Sequence, residues 1–105
     1  MDSNLVAFLK NSLIDLKAED IQIIDVSGKS SITNTMIVCT GTSSRHVCSI
    51  SDNLIEKSKK EGIDVFASEG KVTSDWIAVD FGQAIVHILQ QESRDIYQLE
   101  KLWYR

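Results

Sequence analysis

The sequence predicts an α/β (α+β) fold: a mixed sheet of about five strands flanked by helices, in the order α-β-β-α-β-β-β-α. Three observations predict it. Apolar residues recur at helical spacing near the start, in the middle and at the end of the chain. Two strand-like runs are apolar on both faces, as strands inside a helix-covered sheet are. An alternating pair of strands flanks Gly82-Gln83 and reads as a hairpin, so a strand pair at each end of a helical crossover gives a mixed sheet.

The elements follow in order. Asp2, Ser3 or Asn4 can cap a first helix that runs to about Lys17, with Leu5, Val6, Leu9, Leu13 and Leu16 as its apolar stripe. Ile21–Val26 is a strand apolar on both sides, and Ser27–Ser31 is a polar turn containing Gly28. Thr35–Thr40 is a second two-sided strand. Gly41-Thr42-Ser43-Ser44 ends that strand and caps a helix over Arg45–Glu61, which buries Val47, Ile50, Leu54 and Ile55. Gly62 breaks the helix. Ile63–Ala67 is a short strand, Ser68–Lys71 a turn, and Asp75–Phe81 with Ala84–Gln90 the hairpin. A last helix spans about Glu92–Trp103, with Ile96, Leu99, Leu102 and Trp103 on one side.

The hairpin carries the most information. A two-residue type II′ turn needs positive φ at its first position, which Gly82 supplies. That register pairs Phe81 with Ala84, Val79 with Val86 and Ile77 with Ile88 on a wholly apolar face. The opposite face pairs Asp80 with Ile85, Ala78 with His87 and Trp76 with Leu89. Apolar area around a large aromatic anchor, with a few orienting polar groups, is the composition of a recognition patch. The competing reading has the final helix covering this face and His87 as a satisfied, half-buried histidine.

Composition bounds the function. The 105 residues suit one domain, and 43% hydrophobic with 25% charged residues is ordinary globular usage. No apolar run approaches the length of a membrane helix, since His87 interrupts Ile85–Leu89. Asp2, Lys10 and Asp15 suit neither a signal peptide nor a transit peptide. Cys39 and Cys48 lack metal-ligand spacing and read as reduced packing residues of a cytosolic protein. A net charge of −4 opposes binding to phosphate backbones, and Lys57, Lys59 and Lys60 read as a solvated face favourable to the helix dipole. A basic protein surface fits this chain better.

Catalytic constellations do not emerge. The strand leading into the helix start at Gly41–Ser44 offers backbone N–H groups to an anion, as does the Gly-Ser loop of nucleotidyltransferases. Those enzymes also need converging acids for two metal ions, and Arg45-His46 follows the loop instead. Asp25, Asp75 and Asp80 are the scattered candidates. His46 and His87 lie far apart, with no H-E-x-x-H, G-x-S-x-G or P-loop pattern.

Three stretches together carry a resemblance: Thr40–Val47 (TGTSSRHV), Ser68-Glu69-Gly70, and the run from Asp75 to Trp103. They are similar to the ribosomal silencing factor family, also called Iojap-like proteins. The resemblance implies a nucleotidyltransferase-like fold without its catalytic acids, and no enzyme activity or cofactor. It implies a bacterial cytoplasmic protein that binds ribosomal protein L-fourteen on the large subunit and blocks joining of the small subunit when nutrients are scarce. The chain departs from the family's usual pattern at Asn34 and Gln83, where acids are common, at Gln91, where proline is, and at Thr35, where an aromatic is. The expected partner-binding residues are Trp76, Asp80, His87, Leu89, Tyr97 and Leu99, with loop contacts at Arg45 and His46. Two rival functions are a small nucleotidyltransferase-like enzyme using Gly41–Ser44 and a subunit that dimerises or joins another complex through the hairpin face. A homodimer of the free protein is compatible with either docking reading.

Overall fold

A computed structural model of the chain describes residues 3–31, 33–70 and 74–102. Helix α1 (Ser3–Asp15) leads to β1 (Glu19–Asp25), β2 (Thr35–Gly41), α2 (Ser44–Lys60), β3 (Ala67–Glu69), β4 (Trp76–Asp80), β5 (Ala84–Gln90), α3 (Gln91–Tyr97) and a 3-10 turn, Leu99–Leu102. The five strands form one sheet in the order β1-β2-β5-β4-β3. Only β2 and β5 run parallel, with α2 in the crossover between them. The predicted element order and mixed sheet are therefore observed. The expected Asp2 cap, the end of the Ser68–Lys71 turn and Trp103 lie outside the described residues.

One face of the sheet is the core. Leu5, Leu9 and Leu13 of α1 and Val47, Ile50 and Leu54 of α2 pack on Ile37, Cys39, Ile77, Val79, Phe81, Ala84, Val86 and Ile88. The apolar hairpin face assigned from the alternation is thus buried in full. Burial pushes the Cys39 thiol up to about 12, so this cysteine is an inert packing group. Lys17 takes φ +66 after α1, and Ala18 N–H reaches back to Leu13 O at 3.0 Å, closing the helix without a glycine.

Three expectations fail on local grounds. Strand β1 is an edge, not an interior strand: most of it is exposed, including Ile23 at 41%. Its apolar content resembles that of β2, but only β2 has partners on both sides and is buried throughout. The short strand lies at Ala67–Glu69 rather than Ile63–Ala67, because its pairing with β4 runs from Ala67↔Asp80 to Glu69↔Ala78. The final helix stops at Tyr97: Gln98 adopts the left-handed conformation (φ 47, ψ 52) and the chain continues as the 3-10 turn.

The hairpin register is as read from the sequence, from Trp76↔Leu89 to Asp80↔Ile85. Phe81 N–H bonds to Ala84 O at 2.8 Å. The turn itself is tighter than expected, since Gln83 N–H bonds to Phe81 O at 3.1 Å around Gly82, whose φ is +82.

Candidate functional site

The second face of the sheet is divided in two. Across the strands, Ile24, Met36, Ile85 and Asp80 form one row and Gln22, Val38, His87 and Ala78 the next. A third row runs through Thr40, Leu89 and Trp76. Ile24, Val26, Met36, Val38, Leu89 and Leu99 close into a small second core, against which Trp76 packs. Leu89 and Leu99, expected as contact residues, are buried in this cluster, so they support the surface rather than form it. The outer half, along β4 and β5, keeps Trp76, Ala78, Asp80, Ile85 and His87 partly exposed.

Trp76 organises this half. Its indole N–H donates to His87 Nδ1 at 3.0 Å, and its ring lies 4.8 Å from that of Tyr97, tilted by 46°. Tyr97 is itself 53% exposed, so an aromatic pair stands at the surface on a two-stranded support. Burial lowers the His87 pKa to about 4, which keeps the ring neutral at neutral pH and free to accept the indole proton. The side chain of Asp80 turns to its own hairpin, accepting Gly82 N–H at 2.7 Å. It is a turn-forming acid at the rim of the patch.

Gly70, from the short Ser-Glu-Gly motif, directly follows β3 and lies against the start of β4. Its φ is +97, and a Cβ there would stand 2.1 Å from the Trp76 carbonyl oxygen. Only glycine lets the strand carrying Trp76 run this close to the preceding loop.

The other candidates are held elsewhere. Ser43 caps α2, its hydroxyl accepting His46 N–H at 3.1 Å. His46 Nδ1 accepts Thr42 N–H at 2.9 Å, and Nε2 lies 3.0 Å from Leu16 O, so this ring latches the end of α1 to the start of α2. Arg45 is exposed beside it. Both residues belong to the helix layer on the core face, so they do not join the Trp76 patch. The Gly41–Ser44 loop thus spends two of its groups on its own helix. The scattered acids are equally local: Asp25 accepts Ser27 N–H at 2.9 Å and Asp75 accepts Gln90 Nε2–H at 3.1 Å. Among the described residues, no group of three or more His, Cys, Asp or Glu side chains could hold a metal ion. A cleft of about 600 Å³ lies between the start of α1, the end of α2 and the hairpin turn, and its titratable lining groups are Glu61 and Asp64.

One residue of the site escaped the sequence reading. Arg94 is 4% exposed. Its Nη1 donates to Asp20 O and to Thr40 Oγ1, the latter at 2.8 Å. Its Nε donates to Glu100 Oε2 at 3.3 Å, and Nη2 lies 3.5 Å from Asp20 Oδ2. The six-residue spacing from Arg94 to Glu100 has no helical meaning, and the left-handed break at Gln98 that brings them together has no glycine to announce it.

Such a fold and patch define a class: an α+β sheet protein with one face sealed as core and the other carrying a partly exposed aromatic pair. Residues 2–105 match the family described as "Ribosomal silencing factor during starvation". The chain is 61% identical over 99 residues to the ribosomal silencing factor of Haemophilus influenzae, covering 94% of this chain and 97% of that one. A crystal structure of a Chromobacterium violaceum protein superposes with a TM-score of 0.94 at 34% identity, over 98% of this chain and 86% of that one. A mouse protein named "Mitochondrial assembly of ribosomal large subunit protein 1" is 37% identical over 89 residues, which cover 82% of this chain and 39% of that one. The chain belongs to the ribosomal silencing factor family.

Proposed function

We propose that this protein silences translation by docking on the large ribosomal subunit through the Trp76–Tyr97 face, at ribosomal protein L-fourteen, and blocking the small subunit by bulk. The observation that carries the reading is the partly exposed aromatic pair on the second sheet face, backed by the β4–β5 hairpin. The family supplies the ribosome, and the mouse relative's name points to the large subunit. The net charge of −4 favours a basic ribosomal protein over rRNA as the surface met.

No chemistry is needed for this action. The chain measures 36 × 32 × 22 Å, and a body of that size at a contact between subunits excludes one of them sterically. An interface of about 800 Å² per partner holds a standard specific complex. The protein acts in the bacterial cytoplasm, as one domain, without a cofactor and without catalysis.

Sedimentation with isolated subunits tests the reading. The protein pellets with large subunits, not with small ones, and its addition prevents their joining. Binding falls only moderately as salt rises, because an acidic chain releases few phosphate counterions. Equal binding to both subunits, or binding that leaves joining intact, sinks the proposal.

A further inference from the structure

Helix α3 carries Tyr97 to Trp76, yet little in α3 itself explains its orientation. It has seven residues, its N-cap Gln90 makes no side-chain cap hydrogen bond, and Ile96, expected on its buried side, is 68% exposed. A two-turn helix does not hold itself in water. From the described end of the chain only Leu99 enters the second core.

Arg94 makes the missing connections. From the middle of α3 it grips the β1 bulge at Asp20, the β2 side chain of Thr40 and, through Glu100, the turn beyond Gln98. The bulge matters: the register shifts between Glu19 and Gln22, and Asp20 takes φ +48, which turns its carbonyl and carboxylate toward the guanidinium. We infer that Arg94 is the positioning residue of the docking face, fixing the bend at Gln98 so that Tyr97 lies on Trp76. This rests on the docking reading above.

The energetics point to orientation rather than stability. A buried charge gives up its hydration, and a buried ion pair replaced by apolar groups often leaves a protein as stable as before. Among the described residues Arg94 Nη2 and Glu100 Oε1 find no hydrogen-bond partner, so the pair is an incomplete stabiliser. What the planar fork provides is direction: Nε faces Glu100, Nη1 spans Asp20 of β1 and Thr40 of β2, and Nη2 lies toward Asp20.

The test is Arg94→Met in the full chain, read by NMR, by thermal melting and by sedimentation with large subunits. Tyr97 ring protons lie against the Trp76 indole and carry its ring-current shift. In Arg94→Met that shift collapses, while the Trp76 indole N–H resonance, bonded to His87, stays in place. Melting stays close to the parent, and large-subunit binding weakens about tenfold. Arg94→Lys does not restore either property, because an ammonium cannot reproduce the fork. A Tyr97 shift that survives in Arg94→Met overturns the inference, whatever happens to binding. If Arg94→Met fails to fold, Glu100→Met, which keeps the side-chain length and removes the acceptor, decides in its place by the same Tyr97 signal. Trp76→Ala measured in parallel separates the two proposals: if it binds like the parent, the docking reading falls, while the Tyr97 signal still judges Arg94.

Discussion

Both faces of the sheet carry apolar side chains along β4 and β5, yet they are finished differently. On one, α1 and α2 cover Ile77, Val79, Val86 and Ile88 completely. On the other, α3 and the 3-10 turn cover the Leu89 end and leave Trp76, Ala78, Ile85 and His87 partly open. Monomer surfaces seldom leave contiguous apolar area without a use. The difference teaches how one pair of strands, its side chains alternating between two faces, is finished as core on one side and left partly open on the other.

Substitutions can break that comparison. Ile88→Ala, on the sealed face, empties a fully buried site and lowers stability by about 3 kcal/mol, read as a fall in the urea midpoint. Trp76→Ala, one strand away on the open face, behaves in the reverse proportion. Its half-buried ring gives up less stability than Ile88, but large-subunit affinity drops by about 2 kcal/mol, or roughly 30-fold. An equal stability loss in both variants, with binding unchanged in Trp76→Ala, erases the distinction between the faces.

His87 sharpens it by pH. Burial holds the folded His87 pKa near 4, below its ordinary 6.5, so the unfolded chain takes up a proton first as pH falls. Its contribution is complete above pH 6.5 and is lost between 6.5 and about 4, on the order of 3 kcal/mol in all. His87→Gln should remove that part of the acid-side slope, measured by denaturation at a series of pH values. An unchanged slope would mean that the ring is not held neutral by burial.

The smallest effect belongs to the helix layer. Ser43→Ala costs about 1 kcal/mol through the lost cap and leaves large-subunit binding as it was, and Arg45→Ala changes neither. Docking lost at an unchanged melting temperature in either variant would make the Gly41–Arg45 loop a contact site.

What the sequence disclosed follows its periodicities. The alternation through Asp75–Gln90, with a glycine at the turn, set the hairpin register and told the sealed face from the open one. Apolar content could not rank β1 against β2, because an edge position is a property of pairing rather than of composition. Spacing carried Ile96, Leu99 and Leu102 along one continuous helix, and the bend at Gln98 moved Ile96 into solvent. Of the expected contacts, the structure groups Trp76, His87, Asp80 and Tyr97 on one face, sinks Leu89 and Leu99 beneath it and places Arg45 and His46 on the other side. Arg94 was illegible because its partners come from residues 20, 40 and 100, which only the tertiary fold assembles. The departures at Asn34 and Gln83 share a cause as well: the two amides are hydrogen-bonded to each other, so a change at either site is felt at the other.

The parallel pairing of β2 with β5 reaches beyond the finished molecule. Thr35 meets Ala84 and Gly41 meets Gln90 in the middle of the sheet, so the centre forms only after about fifty residues of intervening chain have been made. Local pieces such as α2 and the β4–β5 hairpin can form early, but β1 and β2 must wait for the late strand to bridge them to the rest. The aromatic surface waits longer still, since Tyr97 follows β5. In a nascent chain the Trp76–Tyr97 pair therefore cannot form until synthesis has passed residue 97, after the β4–β5 hairpin is already complete.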